Sequence, residues 1–180
     1  HSHQIMIHTD ICIIGAGPVG LFAVFEAGLL KMRCHLIDAL PVVGGQLAEI
    51  YPQKPIYDIP GAPAIIAEDL VNNLMKQIEE FKPGFTLGER VEALEKQDDG
   101  SYIVRTNEGT DVHCQVVVIA AGLGSFEPRK PAVEQLEYFE GKGVHYMVKK
   151  PEQFRGRNVM LAGGGDSALD WTIFLADSAS

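Results

Sequence analysis

A chain of 180 residues that is 46% hydrophobic and 22% charged can build one ordinary domain, or one domain and part of another, around a buried core. Its formal net charge of -9 argues against nucleic acid as a partner, because phosphate recognition needs a basic surface. No apolar run is long enough to cross a bilayer, and His1-Ser2-His3-Gln4 opens no signal-peptide pattern, so a cytoplasmic chain with no membrane contact is expected.

Asp10 to Ile14 reads as a buried strand, and Pro18 to Leu30 as a helix that is apolar almost all round. Pro18 suits a first helical turn, where its missing N–H costs nothing. Arg33 to Ile37 reads as a second strand, which completes a β-α-β unit with parallel strands. Residues 39–63 show no clear periodicity and are dense in Gly, Pro and Tyr. Loops that long are usually functional or disordered, and Leu47, Ile50, Tyr51, Ile56, Tyr57 and Ile59 favour function. Ile66 to Phe81 follows as an amphipathic helix, with Leu70, Leu74 and Ile78 in one stripe beside Val71 and Met75. Short strands are expected from residue 85 to 120, with turns at Asp98-Asp99-Gly100 and Asn107-Glu108-Gly109. The last run, Asp111 to Ala120, ends in Val116-Val117-Val118-Ile119-Ala120, the continuous apolar pattern of a parallel strand buried on both faces. Residues 125–156 carry prolines, charges and weaker periodicity, as a linker into a second domain would.

Cys12, Cys34 and Cys114 form no C-x-x-C and no zinc-like spacing, and the first two fall in strand patterns where cysteine packs as a small hydrophobe. His1, His3 and His8 read as a processed tag or a frayed terminus, and no metal is expected.

Two glycine fingerprints carry the chemistry. Gly15-Ala16-Gly17-Pro18-Val19-Gly20 follows an apolar strand and opens a helix. In that setting Gly15 allows a tight turn, Gly17 lets backbone approach a pyrophosphate, and Gly20 lets helix and strand pack closely. Free N–H groups and the positive end of the helix dipole then face the phosphates. Asp38, at the end of the second strand, has the spacing of a carboxylate that accepts from an adenosine ribose, or else is a solvated strand end. The second fingerprint is Gly163-Gly164-Gly165-Asp166-Ser167-Ala168, after the strand-like Val159 to Ala162. Gly163 and Gly165 repeat the turn and the close approach, while Asp166 or Ser167 could cap the helix, or the segment is simply a glycine-rich turn. Two such motifs point to two nucleotides held together, as in a flavoprotein reduced by a pyridine nucleotide. The expected fold is α/β: a Rossmann-like FAD domain with a small antiparallel β-meander, then the start of a Rossmann-like NAD(P) domain.

Over essentially its whole length the chain resembles the ferredoxin–NADP reductases of the thioredoxin-reductase-like type, homodimeric two-domain flavoenzymes. The resemblance rests on the first fingerprint, on Gly44-Gly45-Gln46-Leu47, and on Tyr51-Pro52-Gln53-Lys54-Pro55-Ile56-Tyr57-Asp58. Ile119-Ala120-Ala121-Gly122, Phe126-Glu127-Pro128-Arg129 and the second fingerprint through Leu169-Asp170-Trp171 match in order. It implies that Asp38 holds the FAD ribose and that Gln46 and Tyr51 lie against the flavin or its ribityl chain. It also implies an adenine-side backbone contact at Val91, and places Gly122 and Phe126 by the cofactor at a hinge. From the residues alone, Tyr51 is equally a loop anchor and Val91 simply a strand residue. The implied domains are 1–121 for FAD, 122–129 as hinge, and 130–180 as an incomplete NAD(P)H domain.

Thioredoxin reductases carry a redox C-x-x-C shortly before the second fingerprint. Here Met147 and Lys150 occupy the cysteine positions after Gly141-Lys142-Gly143-Val144, and neither can form a thiolate. The implied route is therefore hydride from NADPH to FAD, then single electrons to ferredoxin or flavodoxin, or the reverse, with no catalytic side chain. Another NAD(P)H-dependent FAD oxidoreductase of monooxygenase-like or disulfide-reductase-like type, and a truncated non-catalytic nucleotide-binding fragment, remain open at this point.

Overall fold

The computed structural model describes residues 5–120, and beyond them the backbone of two short strands. In chain order the elements are β1 (Ile5–His8), β2 (Ile11–Ile14), α1 (Pro18–Leu29), β3 (Cys34–Asp38) and α2 (Gly45–Ile50). Then come β4 (Pro55–Ile56), β5 (Ile65–Ile66), α3 (Ala67–Ile78), a 3-10 turn (Glu79–Phe81) and β6 (Gly84–Leu87). The strands β7 (Val91–Lys96), β8 (Tyr102–Thr106), β9 (Thr110–Cys114) and β10 (Val116–Ile119) follow. Finally β11 (Val144–His145) and β12 (Met160–Leu161) pair in parallel.

A parallel sheet of order β10-β2-β3-β6 carries the fold. Alternate residues of a strand face opposite sides, so β2 divides its apolar run between two cores. Ile11 and Ile13 pack with Leu21 and Val24 of α1 and with Leu70, Leu74 and Ile78 of α3. Cys12 and Ile14 pack on the other side with Val104, Val112 and Val117. Both faces are covered, which is why the strand sequence shows no polar alternation. Cys12, Cys34 and Cys114 are all buried free thiols, and burial pushes the Cys34 thiol up to about 12, so Cys34 packs as an inert hydrophobe.

The second sheet, β1-β9-β8-β7, closes the lower core. Its β7-β8-β9 part is the expected antiparallel meander, turning at Gly100 (φ 88°) and Gly109 (φ 83°), where an L side chain would be strained. Three expectations are corrected. The segment holding His8 is no frayed end: Ile5–His8 lies parallel to β9, in register from Ile5 opposite Thr110 to His8 opposite His113. The run Asp111 to Ala120 is two strands in two sheets, not one. The chain crosses between them at Gln115, whose N–H and that of Val116 both donate to the Asp10 carbonyl (3.0 and 3.1 Å). Residues 39–63 contain α2 and β4, and β4 pairs antiparallel with β5.

α3 buries the stripe read from its sequence, with Glu68 and Asp69 in the first turn, where negative charge suits the helix dipole. The 3-10 turn at its end sets Phe81 edge-on to Phe25 of α1, with ring centroids 5.9 Å apart. Beneath the sheet edge, His35 of β3 is buried, its Nε2 2.7 Å from Thr86 Oγ1 on β6. Burial lowers its pKa below 6.5, against a smaller upward pull from Glu89. A histidine that is harder to protonate when folded contributes stability fully above its unfolded value of 6.5 and loses it as pH falls through the lower folded value. Denaturant midpoints should therefore drop as pH falls from 6.5, and His35→Gln should flatten that slope; an unchanged slope contradicts the assignment.

Candidate functional site

The site is built where β2 ends and α1 begins. Gly15 takes φ 114° and is pinned by its N–H to the Ile37 carbonyl at 2.8 Å, while the Ala120 N–H donates to the Ile14 carbonyl at 2.7 Å. The turn therefore hangs from the centre of the parallel sheet, at its C-terminal edge, where open α/β sheets bind ligands. Gly20 faces inward: a Cβ there would run into the Gly15 carbonyl and Ile13. Gly17 is different. Its φ of -77° and ψ of -176° suit any residue, and a Cβ would meet nothing nearer than the Gly45 Cα at 3.9 Å. Neither backbone geometry nor internal packing requires glycine at position 17.

Gly17 is also the N-cap of α1, with no side chain capping it and no acidic residue in the first turn. Pro18 follows at the first helical turn as expected. Helix N–H groups and the positive dipole end are left facing outward over an open glycine, an arrangement suited to an anion such as a pyrophosphate.

Asp38 ends β3 beside this turn. One carboxylate oxygen accepts from the Ala16 N–H at 2.7 Å and the other from the Leu40 N–H at 2.9 Å. The solvated strand end is thus replaced by a brace that holds the glycine turn. A carboxylate has about four acceptor positions, so two are left to accept from further donors. Residue 88 joins the same corner through its N–H to the Leu40 carbonyl (3.0 Å), and the Glu89 N–H donates to the Asp38 carbonyl (3.2 Å).

Gly44 and Gly45 explain a motif that had no physical account in the sequence. Both have positive φ, 109° and 73°. The Gly44 N–H donates to the Ala16 carbonyl at 2.7 Å, and a Cβ on Gly44 would collide with Ala48 and Val71. This double-glycine turn lays the start of α2 against Gly17, so Gln46 stands exposed next to the turn. Tyr51, just past α2, is 58% exposed with Lys54 Nζ 6.0 Å above its ring, and Tyr57 is 70% exposed. Tyr51 is therefore not packed as a loop anchor in the core.

Val91 opens β7, and its side chain is buried in the lower core at 5% exposure, so only its backbone can meet a ligand. Sequence reasoning missed Glu89. Its carboxylate accepts from Thr110 Oγ1 (2.8 Å) and Thr106 Oγ1 (3.2 Å), tying the Asp38 corner to the meander. Gly122, Phe126, Met147, Lys150, Gly163, Gly165, Asp166 and Ser167 lie outside the described residues. Among the described residues no group of three or more His, Cys, Asp or Glu could hold a metal, and no helix is long and apolar enough to cross a membrane.

The chain that builds this strand–glycine turn–helix is similar in sequence to known proteins. The profile of the family described as pyridine nucleotide-disulphide oxidoreductase matches residues 9–180. The chain belongs to that family. A ferredoxin–NADP reductase of Flavobacterium johnsoniae is 66% identical over 97% of the chain and 50% of its own length. Ferredoxin–NADP reductase 2 of Christiangramia forsetii is 69% identical over 97% of the chain and 49% of its own length. The chain thus spans about half the length of the curated relatives it matches. Among solved structures, a thioredoxin reductase from Streptococcus pyogenes superposes with a TM-score of 0.57 at 26% identity, over 95% of this chain and 53% of that one. A cyclohexanone monooxygenase superposes with a TM-score of 0.53 at 22% identity, over 65% of this chain and 27% of that one. The pyridine nucleotide-disulphide oxidoreductase fold therefore carries more than one chemistry, and the residues must choose between them.

Proposed function

We propose that the chain is the FAD-binding half, with the opening of the NADP domain, of a ferredoxin–NADP reductase. The observation that carries this is 66% identity to such an enzyme across 97% of the chain, and it agrees with this chain's own glycine turn, whose open Gly17 the fold itself does not need. Residues 1–121 form the FAD domain, 122–129 the hinge, and 130–180 the start of the domain that takes NADPH through Gly163, Gly165, Asp166 and Ser167. Gly17 and the N–H groups of α1 take the FAD pyrophosphate, Asp38 takes the ribose, and the Val91 backbone meets the adenine. Gln46 and Tyr51 lie toward the flavin, with Gly122 and Phe126 at the hinge side.

Bound FAD and NADPH supply the redox chemistry, hydride in one direction and single electrons in the other. The polypeptide's task is to hold the FAD by its pyrophosphate and ribose on a rigid sheet edge, so that no side-chain acid, base or nucleophile is needed. Met147 and Lys150, in place of the cysteines of thioredoxin reductases, favour ferredoxin or flavodoxin over a disulfide substrate. The full-length enzyme is proposed to be a cytoplasmic homodimer. Its test is NADPH-driven reduction of cytochrome c that depends on added ferredoxin.

A further inference from the structure

Two histidines outside the glycine site face each other across β1 and β9. His8 and His113 are register partners, and their rings meet edge-on at 76° with centroids 5.4 Å apart. Their Nδ1 atoms are 3.3 Å apart. Two neutral imidazoles at that distance need one proton between them, so the tautomers matter.

The tautomer of His113 follows from its other nitrogen. Ser101 Oγ donates to Asp99 Oδ1 at 2.6 Å, because an ionised carboxylate only accepts. The Ser101 N–H donates to the same oxygen at 3.0 Å, and together these bonds hold the Asp99 carboxyl below its usual range. The single Ser101 hydroxyl proton is thus committed. His113 Nε2, 2.8 Å from Ser101 Oγ, must be the donor there. A neutral His113 then carries a bare lone pair on Nδ1, pointed at His8. Ser101 is fully buried, so the oxygen that faces His113 Nε2 is fixed in the fold, while Asp99, which anchors it, stands on the exposed turn.

We propose that His8 and His113 form a two-imidazole site for a borderline divalent cation, for which zinc is the reference. Tetrahedral zinc with Zn–N near 2.0–2.1 Å places two ligand nitrogens about 3.3 Å apart, and the pair already stands at 3.3 Å. The chain Asp99–Ser101–His113 is the second-sphere arrangement that metal-binding histidines use, with the far N–H donating to an oxygen that is itself anchored. His8 is on an exposed ring and only has to pass its proton to its own Nε2 to offer a second lone pair. No third His, Cys, Asp or Glu joins them among the described residues, so water completes the coordination. The cation would staple the edge strand β1, which leads directly into β2 and the Gly15 turn, onto β9.

The proposal is independent of the cofactor assignment and is tested by zinc titration calorimetry and thermal unfolding of the full-length protein. One equivalent of zinc should bind at neutral pH and raise the unfolding temperature. His8→Asn, on an exposed edge, should fold normally, weaken zinc binding at least tenfold and abolish the thermal shift. Ser101→Ala should weaken binding with both histidines intact, by roughly tenfold or more. Zinc binding unchanged in His8→Asn and His113→Asn would place any metal elsewhere and overturn the proposal. So would the absence of binding to the unaltered protein at millimolar zinc.

Discussion

Gly17→Ala should fold like the unaltered protein yet lose its dinucleotide, whereas Gly20→Ala should fail to fold properly before any ligand is considered. The two residues belong to one motif, but the structure assigns them opposite reasons for being glycine. At position 20 a Cβ runs into the Gly15 carbonyl, part of a turn tied into the sheet by the Gly15 N–H bond to the Ile37 carbonyl and unable to yield. Overpacking in a core usually costs ~1–3 kcal/mol, and a clash with fixed backbone lies at or above the top of that range. At position 17 the backbone is extended and the nearest atom to a Cβ is 3.9 Å away, so the cost is an N-cap preference of less than about 1 kcal/mol. Under the proposed function the same methyl stands where the pyrophosphate would approach the N–H groups of α1. A loss of FAD affinity of at least tenfold, about 1.4 kcal/mol, is expected. Chemical denaturation of the apoprotein and FAD titration by flavin fluorescence separate the two effects. Normal FAD binding by a folded Gly17→Ala protein would remove the phosphate from this turn.

Asp38→Ala should damage both the fold and the cofactor site. Its two oxygens accept from Ala16 and Leu40 at 2.7 and 2.9 Å. Hydrogen bonds to charged groups contribute ~1.5–3 kcal/mol each, and the orphaned N–H groups here are part-buried rather than free to rehydrate fully. For the two bonds together a loss of about 3 kcal/mol or more in apoprotein stability is expected on that basis. FAD affinity should fall by more than tenfold in protein that is still folded under the titration conditions, since the ribose hydroxyls lose their acceptor. Asp38→Asn keeps one accepting oxygen and should recover part of the stability. If Asp38→Ala loses stability and binds FAD as before, the carboxylate is a brace for the Gly15 turn and does not touch the ribose.

These two results also mark what the sequence could and could not disclose. The turn at Gly15, the close packing at Gly20 and the helix start at Pro18 were legible because they depend on local spacing, whereas the Asp38 brace on Ala16 and Leu40 was not. The helices α1 and α3 were legible from the placement of apolar residues, and the doubly buried sheet from unbroken runs such as Val116–Ile119. The strand β1 was not, because Ile5–His8 is a strand only through its pairing with β9, far along the chain. For the same reason the division at Gln115 was hidden: Asp10 in another segment receives both N–H bonds there. The double-glycine turn could be noticed but not explained, since Ala48 and Val71 are what forbid a side chain at Gly44. Glu89 left no local signal, because Thr106 and Thr110 make it a clamp only after the meander has folded.

Electron transfer by the purified full-length enzyme tests the proposed function most directly. The protein should show the absorption bands of bound flavin, and NADPH should reduce cytochrome c rapidly only when ferredoxin or flavodoxin is added. Thioredoxin should not replace them, because Met147 and Lys150 offer no thiol pair. A colourless protein that does not take up FAD, or an NADPH-dependent reduction of thioredoxin, would contradict the assignment.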